Sequence, residues 1–153
     1  MTKLIGITGG IGSGKTTLSK YLKKIGFSVH ESDKVVFEMY KKPSKAFLNF
    51  LKKNISPNVV KNRKINKKKI TNIIFNNQQA KKRLENHIHK EVKSSRENFI
   101  KTNKKNKKDF IFLDIPLLLE KKLEKSFDKV LCVIAKKKIR TERVLKKKKF
   151  TKE

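Results

Sequence analysis

Residues 9–16 read Gly9-Gly10-Ile11-Gly12-Ser13-Gly14-Lys15-Thr16, directly behind the apolar run Leu4-Ile5-Gly6-Ile7. The spacing is G-x-x-x-x-G-K-[ST], with a second threonine, Thr17, next in the chain. Glycines let the backbone turn tightly and bring its N–H groups around a polyphosphate. A lysine placed as Lys15 reaches the β- and γ-phosphates, and a hydroxyl placed as Thr16 ligates Mg²⁺. Residues 16–25 follow with Leu18, Leu22 and Ile25 on one face and Gly26 as a helix stop. A helix there turns its positive end toward the anion. A glycine-rich turn alone says little, but strand, loop, Lys-Thr and helix in this order make a site for ATP or GTP.

Working outward, four short apolar runs punctuate the chain, at residues 4–7, 27–29, 110–115 and 130–134. They are continuous rather than alternating, the pattern of strands buried on both faces of a parallel sheet. The expected fold is therefore α/β, a phosphate-loop nucleotide-kinase-like parallel sheet sandwiched by helices. Residues 34–108 are too many for one crossover helix. They read as helices at about 34–40, 44–54, 66–75 and 78–102, with Pro43 and Pro57 as breaks. Such a helical insertion is the expected housing of an acceptor substrate, and its residues can equally serve packing alone. Residues 136–153 read as a partial lid. A sheet of this class has at least one further strand, so the chain is expected to be cut short at its C-terminal end.

The formal charge of +29 invites a nucleic-acid reading. Of the 42 basic residues, however, only five are Arg, and Arg does the bidentate work on phosphates and guanine. Lysine runs at 67–69, 104–108 and 146–149 fit solvated faces, and most of the ten Phe fall in apolar runs rather than between exposed basic residues. No specific nucleic-acid partner is expected, only loose, salt-sensitive attraction of polyanions. The single cysteine, Cys132, forms no internal disulfide and suits a reducing cytosol. No apolar run approaches 18 residues, and the glycine loop begins too early for a signal peptide. The expectation is a cytoplasmic monomer without a membrane span.

Phosphoryl transfer also needs a metal, a group that takes the acceptor's proton, and cations for the transition-state charge. Asp is scarce: Asp33, Asp109, Asp114 and Asp128. Asp33, past the second run, is placed to accept a proton from a substrate hydroxyl, or to N-cap the next helix. Asp114 ends Phe110-Ile111-Phe112-Leu113-Asp114 and has the form of a Walker B carboxylate that holds Mg²⁺. His87 and His89 are two apart and face different sides of a helix, a poor metal pair. Arg140 and Arg143, at i and i+3, suit either a lid that closes over phosphates or a surface helix.

Together these segments resemble the dephospho-CoA kinase family. The resemblance rests on Thr8-Gly9-Gly10-Ile11-Gly12-Ser13-Gly14-Lys15, on Asp33, and on Asp114-Ile115-Pro116-Leu117-Leu118-Leu119-Glu120, which is similar to the family's Pro-Leu-Leu-x-Glu segment. Ile88-His89 resembles its His-Pro, with Lys90 in place of proline. Arg143 to Lys147 resembles its Arg-x-x-x-Arg lid, with Lys147 in place of the second arginine. The family's last strand, final helix and adenine-side loop have no counterpart. The resemblance implies ATP-dependent phosphorylation of the ribose 3′-hydroxyl of dephospho-CoA. It implies Asp33 as base, with Lys15 and Arg143 also catalytic. Gly9, Gly10, Gly12, Ser13, Gly14, Lys15, Thr16 and Thr17 would bind ATP, and Thr16 and Asp114 would hold Mg²⁺. His89, Pro116, Leu117, Glu120 and Arg140 would contact the acceptor. The alternatives are another small-metabolite kinase, a nucleotide-binding fragment without activity, and, from the charge alone, a basic nucleic-acid module.

Overall fold

The computed structural model describes residues 1–116, 118–119 and 122–149, without the side chains of 147–149. Its chain order is β1 (Lys3–Thr8), α1 (Lys15–Lys24), β2 (Ser28–Glu31), α2 (Ser32–Lys41) and α3 (Lys45–Asn54). Then come β3 (Val60–Lys61), β4 (Lys64–Ile65), α4 (Lys67–Asn76), α5 (Gln78–Lys105), β5 (Phe110–Asp114), β6 (Lys129–Cys132) and α6 (Lys137–Lys149). The chain divides into two compact units, Asp33–Glu97 and the remainder.

In the first unit four strands pair in the order β2-β5-β1-β6. Every pairing is parallel, with Ile7 opposite Asp114 and Thr8 opposite Cys132. The continuous apolar runs explain β1 and β5: Ile5, Ile7, Ile111, Phe112 and Leu113 are all buried. Ile5, Ile7, Val29 and Phe112 pack with Leu22 of α1 in one cluster. Ile111, Leu113, Ile115 and Leu118 form another, with Phe99, Phe127 and Val130 against it. Burying an Ile or Leu fully contributes about 1.5–3 kcal/mol, so these two clusters anchor the sheet.

The fourth run departs from expectation. β6 is an edge strand, and Leu131 stays 40 % exposed and Ile134 84 %. An apolar run implies burial only where another layer covers it, and Cys132 is likewise exposed. Helix α1 ends at Lys24, one residue before the expected end, so the cap falls one residue before Gly26. Ile25 is the cap, and Gly26 follows at φ 92°. The N–H of Phe27 donates to the Leu22 carbonyl and that of Gly26 to Lys23, a Schellman closure.

The second unit packs α3, α4 and residues 78–97 of α5 around Phe47, Leu51, Val59, Ile70 and Leu84. Its helices start where side chains cap them. Ser44 Oγ accepts the Phe47 N–H at 3.1 Å and Asn66 Oδ1 accepts that of Lys69 at 3.0 Å. Ser44 and Asn66 are thus caps rather than the first helical residues. Asp33 is not an N-cap either: it lies inside the first turn of α2, which opens at Ser32. There its carboxylate favours the helix dipole. The hairpin of β3 and β4 was not expected. Asn62 and Arg63 close it in the left-handed region, at φ 48° and 60°; Asn tolerates that conformation and no glycine announced it. Helix α5 runs three residues past the expected Thr102, into Lys104 and Lys105, which suit its negative end.

Candidate active site

The glycine loop leaves the C-terminal end of β1, where open α/β sheets hold their ligands. Gly9, Gly12 and Gly14 adopt φ 148°, 75° and 113°. A Cβ at Gly9 would stand 2.3 Å from the Val133 carbonyl oxygen, and one at Gly12 2.7 Å from that of Arg140. Space and conformation therefore both demand glycine at these two positions. Gly14 heads α1 in a left-handed conformation, with no side-chain cap and no acid in the first turn. An unfilled, positively polarised helix start is what an anion requires.

Lys15 turns back on the loop, its Nζ donating to the Gly9 carbonyl at 2.5 Å. Thr16 and Thr17 are exposed on the first turn of α1, whereas Ser13 is buried. Asp114 ends β5 opposite Ile7, so strand pairing brings its carboxylate to the edge from which the loop springs. Among the described residues no cluster of three His, Cys, Asp or Glu could hold a metal alone. Mg²⁺ is usually bound through only one or two protein oxygens, the rest coming from phosphate and water. Thr16 and Asp114 are an appropriate hydroxyl and carboxylate.

Helix α6 lies against the loop. Arg140 Nε donates to the Ile11 carbonyl at 3.1 Å. One Arg143 nitrogen donates to the carbonyls of Gly12, at 3.1 Å, and Ser13, at 3.0 Å. Of the two options left by the sequence, the structure thus shows the arginines at the loop rather than on a remote surface. Arg140, expected at the acceptor, stands here on the nucleotide loop; its contact is with backbone, which no motif encodes.

In the second unit, Asp33 lines a cavity of about 400 Å³ with Val36, Phe37, Tyr40, Lys67, Ile70 and Thr71 among its walls. Lys67 Nζ lies 5.4 Å from the Tyr40 ring centroid, a cation–π distance. Burial pushes the Tyr40 phenol above its usual pKa. His87 stacks on Phe50 at 3.9 Å between centroids, while His89 is exposed two residues on. The two imidazoles are divided as the helical spacing requires. Pro116 begins the turn after β5. Leu117, Glu120 and the side chain of Lys147 lie outside the described residues.

A parallel sheet that presents this loop, an uncapped helix start, a strand-end aspartate and two loop-bound arginines has the architecture of a phosphate-loop nucleotide-binding protein. The family model for dephospho-CoA kinase matches residues 3–153. The dephospho-CoA kinase of Bartonella quintana is 38 % identical over 94 % of this chain and 72 % of the relative. That of Fusobacterium nucleatum is 36 % identical over 98 % of this chain and 76 % of the relative. The crystal structure of TT1252 from Thermus thermophilus superposes with a TM-score of 0.71 at 28 % identity, covering 95 % of this chain and 72 % of the other. Dephospho-CoA kinase from Campylobacter jejuni has the same fold, at a TM-score of 0.65 and 20 % identity over 99 % of this chain and 98 % of the other. The chain belongs to the dephospho-CoA kinase family, whose members phosphorylate dephospho-CoA with ATP in coenzyme A biosynthesis. No helix among the described residues is long and apolar enough to cross a membrane.

Proposed function

We propose that the reaction transfers the γ-phosphoryl group of ATP to the ribose 3′-hydroxyl of dephospho-CoA. The supporting observation is the uncapped, acid-free start of α1 behind a loop in which Gly9 and Gly12 have no room for a side chain. Backbone N–H groups there hold the phosphates, and Lys15 exchanges the Gly9 carbonyl for phosphate oxygen. Thr16 and Asp114 would hold Mg²⁺, which would supply positive charge to the phosphates during transfer. Asp33 accepts the proton of the attacking hydroxyl. The Asp33–Glu97 unit holds the acceptor; its cavity is mostly apolar with one acid and one lysine on its wall, which suits a long, partly apolar substrate. His89, Pro116, Leu117 and Glu120 are assigned to the same acceptor. The enzyme works as a cytoplasmic monomer.

The test is a coupled ADP-release assay with ATP, Mg²⁺ and dephospho-CoA, run against adenosine, AMP and shikimate as competing acceptors. Dephospho-CoA should be the preferred acceptor by a wide margin, with turnover dependent on Mg²⁺. Equal turnover of any of these competing acceptors would discard the acceptor assignment.

A further inference from the structure

Three successive loop carbonyls, those of Ile11, Gly12 and Ser13, each accept a hydrogen bond from an arginine of α6. The contact is close throughout. Arg140 also lays its guanidinium against Gly10, where a Cβ would stand 3.0 Å from a terminal nitrogen. Within one peptide unit the C=O of residue i and the N–H of residue i+1 point in opposite directions, because the unit is planar and trans. Pinning the Ile11 and Ser13 carbonyls toward α6 therefore turns the N–H groups of Gly12 and Gly14 the other way. The N–H of Ser13 is already used, closing a turn on the Gly10 carbonyl at 3.1 Å. Glycines at φ 75° and 113° have the widest conformational freedom of any residue. Left alone, such a loop would have to be ordered by the nucleotide, at a cost in backbone entropy that weakens binding.

We propose that Arg140 and Arg143 are positioning residues: they hold the phosphate-binding loop, through its outward carbonyls, in its anion-binding conformation before any nucleotide arrives. The proposal rests on the nucleotide reading of the loop given above. It differs from a lid that closes its arginines on phosphate, because here both guanidinium groups are engaged on backbone. Hydrogen bonds from a charged donor are the stronger kind, and their two positive charges beside the loop also raise its attraction for an anion.

The test measures backbone order by ¹⁵N relaxation in the nucleotide-free protein, unsubstituted and as the Arg140→Met, Arg143→Met double variant. Methionine keeps most of the length and helix propensity while removing every donor. In the parent, the Gly12 and Gly14 amides should be as ordered as rigid backbone, with an order parameter of about 0.85, and in the variant they should fall below about 0.6. Gly26, at the far end of α1, should not change, which verifies the fold. ATP affinity should drop about tenfold or more, one charge-assisted hydrogen bond being worth that much. A drop in affinity with loop order unchanged would overturn the proposal, since the arginines would then act on phosphate directly. If ATP perturbs no loop amide in the parent, the nucleotide reading fails instead, while the order parameters without ATP still decide the clamp.

Discussion

Lys15 is only partly buried and contributes little to either core cluster; its ammonium rests on the Gly9 carbonyl. Lys15→Ala should therefore leave the thermal melt nearly unchanged and cut turnover about 10²–10³-fold, the usual effect of removing one preorganised charge. ATP turnover at the parental rate would refute the phosphate-loop assignment. Asp33 is in the first turn of α2 without capping it. Asp33→Asn keeps the size and loses the proton acceptor, so kcat should fall far more than ATP affinity. A kcat within about threefold of the parent, or roughly 0.7 kcal/mol, would leave Asp33 with only its helix-dipole role. Tyr40 offers a pH readout. Its raised pKa means that the folded state prefers the neutral phenol. The associated stability is present below the unfolded value near 10 and is lost as pH rises through the higher folded value. Tyrosinate absorbance in a Tyr21→Phe variant, which leaves Tyr40 as the reporter, should show a midpoint above about 10.

Among the elements, α3 illustrates how a short polar signal sets a boundary. Its first turn has no acid, and Ser44 supplies the side-chain cap, accepting from Phe47 at 3.1 Å. Phe47, Leu48 and Leu51 are buried along the same helix, so fraying its start loosens the second unit's core. Ser44→Ala should cost about 1 kcal/mol, which for a chain of this length lowers the melting temperature by about 2–4 °C. Calorimetry of the variant and of Ser44→Asp separates the cap from helix propensity: the aspartate should restore stability, and a melt as low as that of the alanine variant would exclude the cap. Helix α6 shows the opposite case. It buries few apolar residues, and its position is set by arginine-to-carbonyl hydrogen bonds rather than by an apolar face.

At the scale of the whole molecule the dominant quantity is the charge of +29. Lysine-rich faces contact phosphates without reading bases. Binding to two unrelated DNA duplexes, followed by fluorescence anisotropy, should agree within about threefold and weaken at least about tenfold between roughly 50 and 200 mM salt. A sequence-selective complex that survives the higher salt would give the charge a dedicated role.

The sequence by itself determined the loop, the βαβ start and the buried pair β1 and β5. These depend on local spacing, on glycine's conformational freedom and on continuous apolar runs, all of which are written along the chain. The helices of the second unit were legible within a few residues from their apolar spacing, though Ser44 and Asn66, read as their first residues, cap them instead. The tertiary structure decided the rest. Leu131 and Ile134 look like core in sequence and are exposed, because β6 takes an edge and burial depends on a covering layer. The hairpin at Asn62-Arg63 needed two left-handed residues that composition does not reveal. Arg140 and Arg143 come to the Ile11, Gly12 and Ser13 carbonyls across about 130 residues of chain. A carbonyl oxygen is the same on every residue, so only the folded backbone can tell which one an arginine will find.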